Sequence, residues 1–241
     1  MIRKISAQYI YTCKSKPLKH GIICIDNSGK ITDIIDTNGQ LKESGGVEFY
    51  NGIICPGFIN AHCHIELSHL KGKIPEKKGM AFFVDNIIKI RSDFTNDEIK
   101  SAIVNSDKEM QDNGIVAVGD ISNSNDSVEI KKKNNLFYHT FIEVFGLDEN
   151  KADDIINGGI VLINEYQNNQ LSCSITPHAP YSVSELLFEK FKEYYKNKKQ
   201  TISVHNQECK EENEIFAGKS NDFKELLNKI LPNNSQQLKV N

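Results

Sequence analysis

Apolar and polar positions alternate in short runs over the first fifty residues and then settle into a longer, mixed period. Ile5 to Thr12, Gly21 to Ile25 and Ile31 to Ile35 are β-rich. Between the last two, Asp26-Asn27-Ser28-Gly29 offers a glycine that tolerates the positive φ of a tight turn. These runs predict a small antiparallel meander. From Ile53 the chain alternates apolar runs of strand length with stretches of helical period. The strands are predicted in the stretch opening at Ile53 and running to Ser68, then over Ile115 to Asp120, Leu136 to Phe145, Leu171 to Thr176 and Thr201 to His205. Strand and helix in regular succession predict parallel βα units.

The helices are predicted over Met80 to Phe94, Asp97 to Asn113 and Asp153 to Asn168, with another following Ser182. Thr95-Asn96 starts the second and Gly114 stops it. Ser182 and Glu185 have the spacing of a capping box. Gly158-Gly159 weakens the third helix, since a mid-helix glycine costs about 1 kcal/mol. Glu211 to Leu231 reads as one charged helix, and Pro232 to Gln237 as a loop or frayed tail. The division expected is residues 1–52 as a β portion and 53–241 as an α/β portion.

With 241 residues, 39% of them hydrophobic, the chain can bury a sizeable core. A net charge of −3 gives no general attraction for nucleic acid or an anionic membrane. The runs Lys131-Lys132-Lys133 and Lys196 to Lys199 read as solvated helix ends or loops. No stretch approaches the ~18 uninterrupted apolar residues of a membrane span, and the N-terminus lacks the apolar core of a secretion signal, so a cytoplasmic location is expected. Six scattered cysteines without a Cys-x-x-Cys pair read as reduced, mostly buried thiols.

Three segments place a histidine at the end of an apolar run. The first is IICPGFINAHCHIELS, residues 53–68, where the strand period puts Asn60, His62 and His64 on one face and Cys63 on the other. Two neutral imidazoles on one rigid strand are natural ligands for zinc and other first-row divalent ions. The other segments are Thr176-Pro177-His178-Ala179-Pro180-Tyr181-Ser182 and Ile202-Ser203-Val204-His205-Asn206-Gln207-Glu208. His20, His69 and His139 lie outside these patterns and read as structural or solvated.

Taken together, the three segments resemble the amidohydrolase superfamily, most closely its cytosine deaminase and chlorohydrolase-like branch, from the N-terminus to about Phe216. The resemblance implies an incomplete TIM-type (β/α) barrel of about five of eight βα units, preceded by part of a small β-sandwich. It implies one divalent metal ion, zinc or iron with zinc preferred, held by His62, His64 and His205. Glu208 would move protons as general acid and base, His178 would hydrogen-bond the substrate, and Glu66 would read an amino or amide group on it. Ser172 to Thr176 contains no lysine, so a carbamylated lysine bridging two metals has no candidate there.

The reaction implied is hydrolysis of a non-peptide carbon–nitrogen bond in a small molecule, foremost the deamination of an amino-substituted purine-like or pyrimidine-like heterocycle. Hydrolysis of a cyclic amide uses the same centre. A full barrel alone takes about 250 residues, and the strands that would supply a sixth-strand His and an eighth-strand Asp are missing from the pattern. A partner-dependent or inactive fragment that binds metal without turnover is therefore the rival reading, with a homo-oligomer or a complementing chain covering the open edges.

Overall fold

The computed structural model describes residues 2–40 and 45–230 and divides into two compact units, Met1–Phe58 and Ile59–Asn241. Leu231 and the loop expected over Pro232 to Gln237 lie outside the described residues.

The first unit is one five-stranded sheet built around β1 (Arg3–Ile10). Strands β2 (Leu18–Lys19) and β3 (Ile22–Ile25) pair with β1 antiparallel, and β4 (Ile31–Ile35) pairs antiparallel with β3. The expected turn is made by Asp26, whose carboxylate accepts the N–H of Ser28 at 2.9 Å and of Lys30 at 3.1 Å, with Gly29 at φ 85°. The meander is joined by β5 (Val47–Ile54), which returns to pair with β1 in parallel. Ile53-Ile54, read from the sequence as the approach to the next strand, closes β5 instead. Ala7, Ile10, Ile23 and Cys24 are its buried apolar residues.

The second unit carries β6 (Phe58–Cys63), α1 (Met80–Ile90), α2 (Asn96–Asp112), β7 (Ile115–Ser122), α3 (Val128–Lys131), β8 (Phe137–Val144), α4 (Ala152–Asn168), β9 (Ser172–Pro177), α5 (Glu185–Tyr195), α6 (Lys210–Phe216) and α7 (Asp222–Ile230). Its sheet order is β6-β7-β8-β9, with β7, β8 and β9 parallel. Ile142, Ile163, Ile175 and Leu187 lock α4 and α5 onto β8 and β9, each burial stabilising by roughly 1.5–3 kcal/mol. Ile65, Ile103, Val118 and Tyr138 form a second cluster, and Ala179, Tyr181, Ile215, Phe223 and Leu227 a third.

Several expectations are corrected. The strand bearing the histidine pair, which its apolar run suggests is buried, is not: among the described residues β6 has a neighbour on one side only, and Ile59 is 72% exposed. Thr201 to His205 is extended but forms no ladder, so four strands are seen among the described residues where five were expected. There the hydroxyls of Ser174 and Thr176 donate to the carbonyls of Thr201 and Ser203, replacing main-chain donors from β9. Helix α5 is capped by Ser184, whose hydroxyl accepts the Leu187 N–H, so Ser182 is free for another role. The single charged helix is two, α6 and α7, separated at Gly218 with φ 76°.

Lys131, read as solvated, is completely buried. The glycine pair in α4 has a packing reason on one side. A Cβ on Gly159 would meet Ile175 Cδ1 at 2.4 Å, whereas one on Gly158 would meet nothing. Helix α2 forms as predicted, with Thr95 and Glu98 making a full capping box. No described helix is long and apolar enough to cross a membrane.

Candidate metal centre

Strand β6 ends at Cys63 and delivers His62 and His64 to one side, while Cys63 packs against the cluster around Ile65, Ile103 and Val118. Burial, with the nearby Asp120 carboxylate, pushes the Cys63 thiol up to about 12, which suits packing and not ligation. The chain is fixed immediately after His64, where the Ile65 N–H donates to Asp120 Oδ1 at 2.8 Å. Asp120 Oδ2 accepts Lys131 Nζ at 2.6 Å, and the same ammonium donates to Thr140 Oγ1 at 2.8 Å. Both side chains of this ion pair are fully buried.

The third imidazole arrives from the extended segment beside β9. The His205 N–H donates to the His178 carbonyl at 2.8 Å, and Nδ1 lies 3.2 Å from the same oxygen. A bond from Nδ1–H fixes the tautomer that leaves Nε2 as the lone-pair donor. His64 Nε2 and His205 Nε2 are 3.3 Å apart, and ligand atoms of His62, His64 and His205 all lie within 4.8 Å of one another. Two nitrogens each 2.0–2.1 Å from a tetrahedral zinc are separated by about 3.3–3.4 Å, so this donor set fits a divalent ion. Ligation requires neutral imidazoles, and the surroundings of His62 and His64 favour that form. Burial first, and then the neighbouring imidazoles, lowers His64 to about 4, and burial with His205 lowers His62.

His178 packs beside this cluster, its ring 4.8 Å from that of His205. Its Nδ1 pairs with Ser182 Oγ at 2.6 Å, the role that the expected cap residue takes instead. Burial lowers its pKa to about 3. Glu208 Oε1 accepts the Tyr181 hydroxyl at 2.5 Å, and the Glu208 N–H donates to Glu212 Oε2 at 2.9 Å. The charge of Glu208 acts on His62, which places it beside the cluster. Glu66 is engaged elsewhere: it accepts the hydroxyls of Ser122 at 2.5 Å and Ser124 at 2.7 Å and the N–H groups of Asn123 and Ser124. It ties the turn after His64 to the end of β7.

His139 is held between Ser172 and Ser174, His69 packs on Phe94, and His20 pairs with the Gly39 carbonyl, as structural histidines do. Sequence reasoning missed Glu143, Tyr181 and the Asp120–Lys131 pair. Glu143 lies at the C-terminal end of β8, 3.6 Å from His178 Nε2, and is pushed up to about 8 by burial and by the charges of Glu66 and Glu208. The available signal was an acid at the C-terminal end of a predicted barrel strand.

A sheet with parallel strands β7 to β9, flanked by helices and carrying three converging imidazoles, has the arrangement of a partial TIM-type barrel with a candidate metal site. The chain belongs to the amidohydrolase family, which it matches over residues 53–227. It is 24% identical over 215 residues to an adenosine deaminase of Helicobacter pylori, covering 86% of this chain and 51% of that one. It superposes with a TM-score of 0.81 on the crystal structure of Helicobacter pylori aminofutalosine deaminase in complex with methylthio-coformycin, at 24% identity over 99% of this chain and 59% of the other. A TM-score of 0.68 relates it to atrazine chlorohydrolase TrzN of Arthrobacter aurescens complexed with zinc, at 18% identity over 94% of this chain and 57% of that one. The chain thus spans about half the length of the curated relatives it matches.

Proposed function

We propose that the chain carries the metal-binding half of a divalent-metal hydrolase that deaminates an amino-substituted heterocycle of the adenine nucleoside kind. The observation that carries the reading is the 3.3 Å approach of His64 Nε2 to His205 Nε2, with His62 completing a three-nitrogen set. His62, His64 and His205 would hold the ion, with zinc favoured by the all-imidazole donors. Such an ion, when bound, makes water acidic near neutral pH and polarises the carbon it attacks.

The remaining chemistry belongs to side chains. Glu208 takes one proton from the attacking water and passes it to the ring nitrogen, then takes the proton of the newly added hydroxyl and passes it to the amine, which departs as ammonia. Tyr181 fixes one Glu208 oxygen by its hydroxyl, which aims the other. His178, oriented by Ser182, presents Nε2 to the ring. The adenosine deaminase and aminofutalosine deaminase likenesses favour a purine nucleoside over a cyclic amide.

The test is ammonia release from adenosine by zinc-loaded protein. Turnover in the wild type, lost in Glu208→Gln with zinc content unchanged, is the expected result. Cyclic-amide hydrolysis without ammonia would overturn the deaminase reading. The exposed edge at β6 favours one rival: zinc bound at one equivalent with no turnover would mean that the residues for catalysis come from a further chain.

A further inference from the structure

Glu208 follows His205 by three residues, and along an extended chain residues three apart point to opposite sides. A continuous strand would therefore carry Glu208 away from the imidazole cluster. The chain turns instead at Gln207, whose φ of 55° lies in the left-handed region that a residue with a side chain rarely adopts. Such a bend persists only where its surroundings hold it.

Glu212 supplies a hold. It is 1% exposed, and its Oε2 accepts the Glu208 N–H at 2.9 Å. Its Oε1 is buried with no hydrogen-bond partner among the described residues. Burying a carboxylate with one oxygen unpaired is costly. The bond that the other oxygen makes goes to the main chain of the proposed proton carrier.

The ordinary duty of a glutamate at this place is to start a helix. Glu212 follows Lys210 and Glu211 at the start of α6, and in a capping box it would reach back to the N–H of Cys209. It passes that group and takes the N–H of Glu208. The helix start is served by Cys209, whose Sγ accepts the Glu212 N–H at 3.4 Å. One apolar block carries both restraints on Glu208. Ile215, Phe223 and Leu227 of α6 and α7 cluster with Tyr181, whose ring centroid is 5.1 Å from that of Phe223 and whose hydroxyl donates to Glu208 Oε1.

We infer that Glu212 is a positioning residue for Glu208: by accepting its N–H, Glu212 holds the turn after Gln207 and fixes where the Glu208 carboxylate stands against the three imidazoles. The inference rests on the reading of Glu208 as the proton carrier. Tyr181 restrains the carboxylate and Glu212 the main chain that bears it, so the two bonds together leave Glu208 one placement.

Three variants of the zinc-loaded protein test this. Glu212→Met fills similar space without a good acceptor, Glu212→Gln keeps a carbonyl oxygen for the Glu208 N–H, and Cys209→Ala removes only the helix cap. Hydrogen exchange of the Glu208 amide, followed by NMR, is measured beside ammonia release from adenosine. In Glu212→Met the amide should exchange roughly ten- to hundredfold faster, the worth of a hydrogen bond to a charged acceptor. Its kcat should fall by roughly the same factor, the scale of a misplacement of about 1 Å, with KM within about threefold and zinc unchanged. Glu212→Gln should recover most of both losses, and Cys209→Ala should show neither. Unchanged exchange in Glu212→Met, or faster exchange with undiminished kcat, would overturn the inference. Equal losses in Glu212→Met and Cys209→Ala would also overturn it, because Glu212 would then only start the helix. If the wild type releases no ammonia, the deaminase reading falls, and the exchange rates alone decide whether Glu212 holds Glu208.

Discussion

Replacing Lys131 with Met should be among the most destabilising single changes in the chain, and its cost should depend on pH in a particular direction. The ammonium is fully buried, 2.6 Å from Asp120 Oδ2 and 2.8 Å from Thr140 Oγ1, with the Tyr138 and Tyr166 rings within 5.3 Å. Burial already raises the Asp120 carboxyl above its ordinary value despite the stabilising charge of Lys131. Without that charge, Asp120 escapes only by taking a proton. At pH 7 that protonation costs about 4 kcal/mol for a carboxyl with an unfolded pKa near 3.9, at 1.36 kcal/mol per pH unit. This agrees with the ~3–5 kcal/mol measured for breaking buried pairs.

The sign follows from linkage. In Lys131→Met the folded pKa of Asp120 lies above the unfolded one, so the variant keeps most stability at low pH and loses it as pH rises. Because the wild-type Asp120 is itself raised by burial, the deficit relative to the wild type should be at most about 4 kcal/mol at pH 7 and at most about 1.5 kcal/mol at pH 5. Urea unfolding followed by circular dichroism at the two pH values measures it. The double variant Asp120→Asn/Lys131→Met, in which the introduced amide oxygen still accepts the Ile65 N–H and no charge is buried, should recover a large part of the loss. A deficit under about 1 kcal/mol at pH 7, or one equal at both pH values, would refute the argument.

His62→Ala and His205→Ala should each strongly reduce bound zinc in elemental analysis, whereas His139→Ala, whose ring sits between Ser172 and Ser174, should leave it unchanged. Gly159→Ala places a methyl 2.4 Å from Ile175 Cδ1 and 2.8 Å from Val144 Cγ1 and should destabilise by about 1–3 kcal/mol, while Gly158→Ala meets nothing and should stabilise by up to about 1 kcal/mol; urea midpoints test both. In the metal-free protein, His64 is lowered from 6.5 to about 4, so the unfolded chain binds the proton first and stability should fall as pH drops through that window. His64→Gln should flatten this dependence in pH-resolved unfolding.

The parts of this molecule legible in the sequence are those governed by local rules. Helix α2 was readable from Thr95, Glu98 and Gly114 because caps act over one turn. The meander was readable from Asp26 to Gly29 because a tight turn has few solutions. That His62 and His64 share one side of their strand was readable because residues two apart on a strand do. Illegible features depended on partners distant along the chain. Lys131 sits in a run of three lysines whose local pattern says solvent, and only the return of β7 and β8 brings Asp120 and Thr140 to it. Val47–Ile54 was absent from the expected meander because its partner, β1, lies some forty residues earlier. Glu143 acquires its neighbour only when β9 puts His178 beside it.

The segment that carries His205 shows how a site can be precise where regular structure stops. A main-chain ladder against β9 would fix Thr201 to His205 by backbone donors alone. Here the side chains of Ser174 and Thr176 reach its carbonyls, Thr176 Oγ1 also accepts the Ser203 N–H, and the main chain contributes the bond from His205 N–H to the His178 carbonyl. That single main-chain bond joins two of the candidate site histidines. Any shift of the segment moves His205 against His178 and against the His62–His64 pair at once, so ligand geometry and the presentation of His178 are coupled through one carbonyl. Apolar periodicity reads such a segment as a strand, yet Ile202 and Val204 are exposed and no ladder forms among the described residues. The hydroxyls at alternate positions of the neighbouring strand are what distinguish it, and they do so only after β9 and the segment are side by side.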